Sequence, residues 1–242
     1  MTNLAGKRIL VTGGTTGIGR ETVKQLVARG AHVITFGRDQ GPLDEVLEQA
    51  RAGDGQVFGI TADASTKEGL DKVFVSVDQM LAGLDMLVAC AALGADPLTE
   101  MAEDDWRYVI ETNLVGYLAS AQRAITRMEQ SGGGHLLFVG SISTEIKAAG
   151  ESVYSATKAG VQAFAETLRK EISAEKNIKV SVIQPGSVET DMQECTDGEK
   201  AQAVEKQQML HAEEVADAIV WVLTRSANIV NLRIEPLDQK TS

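Results

Sequence analysis

The chain is poor in the residue types that build metal sites, disulfide frameworks and linkers. Among its 242 residues it has two cysteines, Cys90 and Cys195, which lie far apart and outside any metal-ligand spacing, and three isolated histidines. It has four prolines, and no Pro- or Ser-rich linker, repeat or low-complexity run interrupts it. We therefore predict no metal site and no disulfide framework, and one domain over residues 1–242 rather than two smaller ones.

Long apolar runs and an excess of positive charge are also missing. No stretch of about eighteen apolar residues occurs, and the N-terminal Met-Thr-Asn-Leu-Ala-Gly-Lys has no apolar segment typical of a signal peptide. We expect no membrane partner and a cytoplasmic location. The 23 Lys and Arg against 34 Asp and Glu give a net charge of −11. Because non-specific nucleic-acid binding needs a basic face, no nucleic-acid partner is expected.

What the chain does contain is a steady alternation of apolar, β-branched segments with helical ones. Such segments are typical of strands buried on both faces of a parallel sheet. Right-handed crossovers between them predict an α/β fold, a single doubly wound domain with about seven parallel strands and helices on both faces. The predicted strands cover residues 8–12, 31–36, 56–61, 85–91, 135–140, 178–184 and 229–234.

Apolar residues at helical spacing predict two long helices, over residues 102–128 and 152–173. In the first, the residues expected to be buried are Trp106, Ile110, Leu114, Leu118, Ala121 and Ile125. In the second, they are Val161, Phe164, Ala165, Leu168 and Ile172.

The first predicted strand runs directly into a glycine-rich turn and then into a helical pattern. Strand, turn and helix start form the context that a dinucleotide fingerprint requires. The glycines let the backbone approach a pyrophosphate, and the free amides at the helix start favour its negative charge. The spacing G-x-x-x-G-x-G differs from the usual G-x-G-x-x-G, and a chance glycine cluster in a turn is the alternative. The candidate residues are Gly13, Thr15, Thr16, Gly17, Ile18 and Gly19.

A second candidate site lies near the middle of the chain, in Tyr154-Ser-Ala-Thr-Lys158. Residues four apart share a helix face, so the phenol and the ammonium would be neighbours. A phenol titrates near pH ~10 in water, and a fixed ammonium lowers its pKa towards the range where acid–base catalysis is efficient. Ser141 follows the apolar segment 135–140 and could hold a carbonyl oxygen beside the phenol. Alone, this spacing is more often a surface Tyr/Lys pair.

Together with Asn113, these motifs resemble the short-chain dehydrogenase/reductase family over essentially the whole chain. The resemblance implies a Rossmann-type fold and hydride transfer between a nicotinamide cofactor and a carbonyl or secondary alcohol. It makes Tyr154 the general acid or base, Lys158 the residue that lowers the phenol's pKa and binds the nicotinamide ribose, and Ser141 the residue that orients the substrate oxygen. Asn113 would anchor a water that connects Lys158 with solvent; the alternative is that it merely packs within a helix.

The resemblance implies further cofactor contacts. Asp63, after the third strand, would lie against the adenine, and the segment from Pro185 to Thr190 beside the nicotinamide. The family usually carries Asn-Asn-Ala-Gly after the fourth strand, where this chain has Ala89-Cys90-Ala91-Ala92. We interpret Cys90 as a small buried hydrophobe. The remaining implied contacts are Ala64, Ala91, Pro185, Gly186, Val188 and Thr190.

The end of the second strand favours NADP over NAD. An acidic side chain there would bind both ribose hydroxyls of NAD and repel a 2′-phosphate. NAD-dependent relatives usually place an aspartate where this chain has Gly37, and the guanidinium of Arg38 suits a phosphate bidentately. Asp39 lies about twenty residues beyond Gly19, the spacing of a ribose-binding acid, so NAD stays an alternative. We interpret Asp39 as a turn or helix-capping residue.

The substrate side is less well defined by the sequence. Residues 191–211 are polar and poor in glycine, which predicts a helical substrate lid with Met192 and Met209 as flexible apolar contacts; a solvated insertion is the alternative. The C-terminus resembles that of broad-specificity members that oxidise hydroxy acids or reduce varied carbonyls. A lyase or epimerase on the same fold is a rival function, although such relatives usually have a longer C-terminal domain. A non-catalytic NADP-binding sensor is the other rival.

The two long helices also carry apolar residues beyond one sheet-facing stripe. Family members commonly pair these helices across a two-fold axis into a four-helix bundle, and closed two-fold symmetry is common among oligomers. A homo-oligomer, dimer or tetramer, is therefore predicted. In the alternative, the extra residues cover the monomer's own sheet edge. The extra apolar residues are Val109, Val115, Phe164 and Leu168.

Overall fold

The computed structural model describes residues 1–193 and 195–239. The described strands form one parallel sheet of seven strands in the order β3-β2-β1-β4-β5-β6-β7. The predicted α/β fold is confirmed, and each predicted strand agrees with the structure within two residues at both ends. The single predicted domain includes residues 194 and 240–242, which lie outside the described residues. The strands are β1 (Arg8–Thr12), β2 (His32–Gly37), β3 (Gln56–Thr61), β4 (Met86–Ala89), β5 (Gly134–Val139), β6 (Ile178–Pro185) and β7 (Asn231–Ile234).

Both faces of the sheet are covered by helices. On one face α3, α5 and α7 pack over the sheet, and on the other α1, α2 and α9 do. Within the described residues, no helix is both long enough and apolar enough to cross a membrane. The helices are α1 (Gly17–Ala28), α2 (Gln40–Ala50), α3 (Lys67–Leu81), α4 (Glu103–Ile110), α5 (Gly116–Gln130), α6 (Ser143–Ile146), α7 (Ser152–Lys176), α8 (Asp197–Glu205) and α9 (Ala212–Thr224).

The first strand shows why the apolar segments form a sheet buried on both sides. Ile9 and Val11 pack into one apolar layer, whereas Leu10 packs into the opposite layer. This follows from the two-residue period of a strand, which sends successive side chains to opposite faces. All three are fully buried, and each such side chain contributes about 1.5–3 kcal/mol of hydrophobic stabilisation. A strand with two buried faces therefore reads as a continuous apolar run rather than as an alternation.

The predicted helix over residues 102–128 is wrong in one respect. The structure divides it into α4, a π-helical turn (Glu111–Val115) and α5. The wider turn changes which residues face the sheet, so Tyr117 and Ala121 are buried while Leu118 is 37% exposed. Trp106, Ile110, Leu114 and Ile125 are only half-buried. In α7 the predicted stripe holds, with Phe164 half-buried and packed against the core.

The strand order places a crevice beside β1. From β1 the chain proceeds through β2 and β3 in one direction, and β4 begins the other half of the sheet on the opposite side of β1. The loops that follow β1 and β4 therefore diverge to opposite faces. In open parallel sheets, ligands bind at such a switch point, at the carboxyl ends of the strands.

Candidate active site

A cavity of about 600 Å³ opens at this edge of the sheet. It is lined by residues from the ends of six strands, β1 to β6, and from the starts of helices α1 and α7. The structure brings every predicted cofactor residue to its wall: Gly13, Thr15, Thr16, Gly17, Ile18, Gly19, Arg38, Asp63, Ala64, Ala91, Tyr154, Lys158, Pro185, Gly186, Val188 and Thr190. Ser141 lines it as well, whereas Asn113 lies behind the wall.

The glycine turn leaves no room for side chains. A Cβ on Gly13, whose φ is +65°, would lie 2.5 Å from the Cα of Ala91, and one on Gly19 would lie 2.1 Å from the carbonyl oxygen of Gly13. The residue before α1, Thr16, makes no side-chain capping hydrogen bond, so the first amides of the helix are not satisfied by a cap. A close-packed turn followed by free helix amides is suited to a diphosphate.

The loop after β4 is held in place from outside its own sequence. The hydroxyl oxygen of Thr12 accepts hydrogen bonds from the amides of Cys90 (3.0 Å) and Ala91 (3.1 Å). The Asn113 side chain accepts from the Leu93 amide and donates to the Leu93 carbonyl, both at 2.8 Å. Asn113 is fully buried in the π-turn, where its amide would cost stability if unpaired. Thr12 and Asn113 therefore hold this loop in place, although residues 89–92 are small and apolar.

Cys90 is half-buried and lines the cavity. Burial raises the pKa of its thiol to about 12, so the thiol stays protonated near neutral pH. A protonated thiol is a poor nucleophile, which agrees with the interpretation of Cys90 as a small apolar residue.

Lys158 lies in the interior and not at a surface. Its ammonium donates to the Val139 carbonyl at 2.9 Å and to the Tyr117 hydroxyl at 3.4 Å, and it lies 5.6 Å from the centre of the Tyr154 ring. Burial lowers the pKa of Lys158 to about 8. A surface Tyr/Lys pair is therefore excluded.

The expected lowering of the pKa of Tyr154 is wrong for this arrangement. Burial raises the pKa of Tyr154 to about 12, and the hydrogen bond with the Ser141 side chain opposes this only in part. The reason is that the ammonium of Lys158 is directed to the Val139 carbonyl instead of the phenol oxygen. Tyr154 is thus protonated at neutral pH and able to donate a proton. The Ser143 amide, 3.1 Å away, donates to the Ser141 hydroxyl oxygen and helps fix it.

Where Arg38 and Asp63 line the cavity, the structure shows contacts that the sequence did not predict. Tyr108 joins Arg38 to Asp63 through its hydroxyl group. Thr112, one turn later on the same helix face, also lines the cavity, and this four-residue spacing was the signal available in the sequence. Asp39 occupies the N-cap position of α2, as expected, but its side chain makes no capping hydrogen bond.

A second cavity, of about 640 Å³, adjoins the first at Tyr154 and Ser141. Met192 lines both cavities, whereas Met209, expected to contact the substrate, lines neither. The predicted lid, residues 191–211, contains α8, which begins with a capping box between Thr196 and Glu199; residue 194 lies outside the described residues. Closure of this segment stays a prediction. The other lining residues include Asp96, Met101, Ile142, Ser143, Ile146, Glu151, Ser187, Gln193 and Gln239.

The residues singled out for helix pairing divide into two groups. Val109 and Leu168 are buried within the monomer, and Phe164 is half-buried, so these three cover its own core. Val115 is 41% exposed, and Leu118 lies beside it on α5 and is also exposed.

Known proteins resemble this chain over most of its length. The family model of the short chain dehydrogenases matches residues 7–201. The 3-oxoacyl-[acyl-carrier-protein] reductase FabG of Chlamydia pneumoniae is 36% identical over 190 residues, which cover 78% of this chain and 76% of that protein. An uncharacterized oxidoreductase of Staphylococcus epidermidis is 30% identical over 241 residues, covering 98% of this chain and 100% of the relative. The crystal structure of a short chain dehydrogenase from Burkholderia cenocepacia in complex with NADP has a TM-score of 0.85 and 28% identity, covering 97% and 98% of the two chains.

Proposed function

Because the chain belongs to the short-chain dehydrogenase family of oxidoreductases, we propose that it is an NADP-preferring enzyme that interconverts a carbonyl compound and a secondary alcohol. The observation that carries this proposal is the meeting of Ser141, Tyr154 and Lys158 with the glycine turn in one cavity. When bound, the nicotinamide cofactor supplies a hydride to the carbonyl carbon or accepts one from the alcohol carbon.

The cavity fits such a cofactor. Its glycine turn accommodates the diphosphate, and Asp63 lies at its adenosine end. Three observations favour NADP over NAD: Arg38 lines that end, Gly37 replaces the aspartate that would repel a 2′-phosphate, and the relative from Burkholderia cenocepacia was crystallised with NADP. Asp39 is exposed on the same wall and is the residue through which NAD would be favoured.

The protein's own groups provide the proton transfer. With its raised pKa, Tyr154 holds a proton at neutral pH and donates it to the substrate oxygen during reduction. The reverse reaction starts from deprotonated Tyr154, whose phenolate oxygen accepts the proton of the alcohol. Ser141 stabilises the charge that develops on the substrate oxygen, and Lys158 contributes a positive charge behind the phenol. Asn113 acts indirectly, because it positions the loop beside the cavity.

The second cavity favours an uncharged carbonyl substrate over a keto acid. Two carboxylates, Asp96 and Glu151, line it, and no lysine, arginine or histidine does so among the described residues. A carboxylate substrate would therefore meet repulsion without a cationic partner. The 3-oxoacyl group named for the relative from Chlamydia pneumoniae is one candidate of the uncharged class. The hydroxy acids suggested by the C-terminal sequence are disfavoured.

The test is oxidation of NADPH with a panel of carbonyl compounds that includes a 2-keto acid and its methyl ester. We expect steady turnover, a higher kcat/KM with NADPH than with NADH, and the ester favoured over the acid by about tenfold. A lyase or epimerase would convert its substrate without net consumption of NADPH. A sensor would bind the cofactor without turnover of any compound in the panel.

We also propose that the protein is a homo-oligomer, which the exposed pair Val115 and Leu118 supports. Static light scattering at micromolar concentration should give a mass of at least two chains. The substitution Val115→Asp should shift that mass towards one chain, and a native protein that is monomeric would contradict the proposal.

The cytoplasmic location stays a prediction.

A further inference from the structure

Tyr108 links two residues that belong to different parts of the cofactor cavity. Arg38 follows β2, Asp63 follows β3, and Tyr108 lies on α4. The Nη1 group of Arg38 donates to the Tyr108 hydroxyl at 3.0 Å, and that hydroxyl donates to Oδ2 of Asp63 at 2.7 Å. The guanidinium carbon lies 5.9 Å from the centre of the Tyr108 ring, within reach of a cation–π contact. The phenol is thus bonded to a cation on one side and a carboxylate on the other.

The charges of this chain of contacts are stable around neutral pH. The hydrogen bond with Tyr108 raises the pKa of Arg38 despite partial burial. Burial acts to raise the pKa of Asp63, but the Ser65 amide, the Tyr108 hydroxyl and the Ser65 hydroxyl together hold it below its usual range. Burial raises the pKa of Tyr108, which therefore stays a neutral phenol. Its one proton is donated to Asp63, so its oxygen can only accept from Arg38.

We propose that Tyr108 is a positioning residue for the 2′-phosphate of NADP, acting through the Arg38 guanidinium. This rests on the proposed NADP preference. Arg38 is an exposed side chain, and fixing such a side chain on binding costs conformational entropy. The contact with Tyr108 fixes it before the cofactor binds. Only one of its five N–H donors has a hydrogen-bond partner among the described residues, which leaves the others for a phosphate.

Tyr108 also keeps the Arg38 guanidinium away from Asp39, the next residue in the sequence. Asp39 is exposed and attracts the guanidinium, although the structure shows no ion pair between them. Without the phenol oxygen, Arg38 is free to turn to Asp39, which would neutralise the charge that a 2′-phosphate needs. Asp63 does not depend on Tyr108 in the same way. Its Oδ1 still accepts from the Ser65 amide and the Ser65 hydroxyl, both at 2.8 Å. Loss of the Tyr108 hydroxyl should therefore affect NADP far more than NAD.

The test is a double-mutant cycle on cofactor binding, measured by isothermal titration calorimetry with NADP⁺ and NAD⁺. Tyr108→Phe should weaken NADP⁺ by about 3- to 10-fold and NAD⁺ by less than about 2-fold, the range expected for one partly exposed hydrogen bond to a charged group. In the Arg38→Ala background, Tyr108→Phe should change NADP⁺ binding by less than about 2-fold. Trp106→Phe, on the same helix but outside the cavity wall, is the matched control and should change neither affinity.

Two outcomes would overturn the role of Tyr108. One is equal weakening of both cofactors by Tyr108→Phe, which would assign the phenol to the shared part of the cofactor or to the fold. The other is the same loss with Arg38 absent. A native protein that binds NAD⁺ more tightly than NADP⁺ would instead contradict the proposed preference, and the cycle would still show whether Tyr108 acts through Arg38.

Discussion

The two cavities that meet at Tyr154 and Ser141 are lined by different kinds of structural element. The first cavity, where we propose that the cofactor binds (the cofactor cavity), has walls of strand ends and a glycine turn, where the backbone of Gly13 is packed against Ala91. The second cavity, where we propose that the substrate binds (the substrate cavity), is walled mainly by loops, by the short helix α6, by the exposed Met192 and by Gln239 of the C-terminal tail. The first requires a fixed backbone because it must fit one unchanging cofactor. The second can change its loops without disturbing the sheet, so it is where relatives of one fold can differ in substrate.

The wall of the cofactor cavity is also expected to be more stable against local unfolding than the lid segment beside the substrate cavity. The two strands beside the switch point, β1 and β4, are buried on both faces, whereas α8 in the lid segment has no buried residue. Segments with few buried apolar contacts open at low free energy. Asp238 in the C-terminal tail holds the lid segment at two neighbouring points: its amide donates to the Gln207 carbonyl, and its carboxylate accepts from the Gln208 side chain. Gln239 binds Ser187, which lies just before the lid segment. Apart from Leu210, which is buried in the core at the end of the segment, the described residues of the lid segment are thus held mainly by polar contacts.

The largest expected effect falls where the two cavities meet. Tyr154→Phe removes the proton donor but leaves the ring, so cofactor binding should be nearly unchanged while kcat falls by about 10²–10⁴-fold. Steady-state kinetics and calorimetry on the same preparation separate the two quantities. Retention of most of the activity would show that another group transfers the proton.

Lys158→Met should lower the activity of the protein and raise its stability. The variant should lose roughly 100-fold or more in turnover and should also bind cofactor more weakly, because it lacks the positive charge behind Tyr154. It should nevertheless unfold at higher denaturant concentration. Since burial lowers the pKa of Lys158 from 10.5 to about 8, the buried ammonium destabilises the native state by about 3 kcal/mol at pH 7.

The pH dependence of that stability follows from the same shift. Between pH 8 and 10.5 the unfolded chain holds the Lys158 proton and the folded chain does not, so native stability from this group rises with pH across that window. The Met variant lacks this rise, and its advantage should shrink as the pH approaches 10. Lys170→Met, at an exposed position of α7, is the control and should show neither effect. A Lys158→Met protein less stable than native at pH 7 would mean that the bonds to Val139 and Tyr117 outweigh burial.

The next effect tests how fixed the cofactor cavity is. A Cβ at position 37 would lie 2.6 Å from two side-chain atoms of Thr15 in the glycine turn. Gly37→Asp alone should therefore displace the turn and weaken NADPH by about tenfold without improving NADH, since overpacking is costly in a close-packed wall. Thr15→Ala removes the two atoms that would clash, so Gly37→Asp combined with Thr15→Ala should raise kcat/KM for NADH. The kcat/KM values for both cofactors decide; an immediate switch to NADH by the single substitution would show that the turn is adaptable.

The sequence predicted the strands and the glycine turn well because their signals are local. Each buried strand is an apolar run, and the glycines of the turn follow one strand directly, so both are visible within about ten residues. The π-turn at residues 111–115 has no such signal, because one extra residue leaves the apolar spacing nearly unchanged while it moves Leu118 to the surface. The direction of the Lys158 ammonium depends on the Val139 carbonyl, a neighbour only in the folded chain. The same holds for Tyr108 and Gln239, whose partners lie far away in sequence.

The smallest expected effect lies in the tail that walls the substrate cavity. The Gln239 side chain accepts from the Ser187 amide at 2.9 Å and donates to the Ser187 hydroxyl at 3.3 Å, directly after the Pro185–Gly186 turn. Gln239→Ala removes both bonds, which are partly exposed and each contribute about 1 kcal/mol or less. We expect KM for the carbonyl substrate to rise about 3- to 10-fold, with KM for NADPH unchanged, because the cofactor cavity does not use the tail. Leu237→Ala, at an 85% exposed position of the same tail, should leave both constants as they are. If Gln239→Ala raised both KM values equally, the two cavities would be mechanically coupled, and the contrast between a fixed cofactor side and an adaptable substrate side would fail at the segment that joins them.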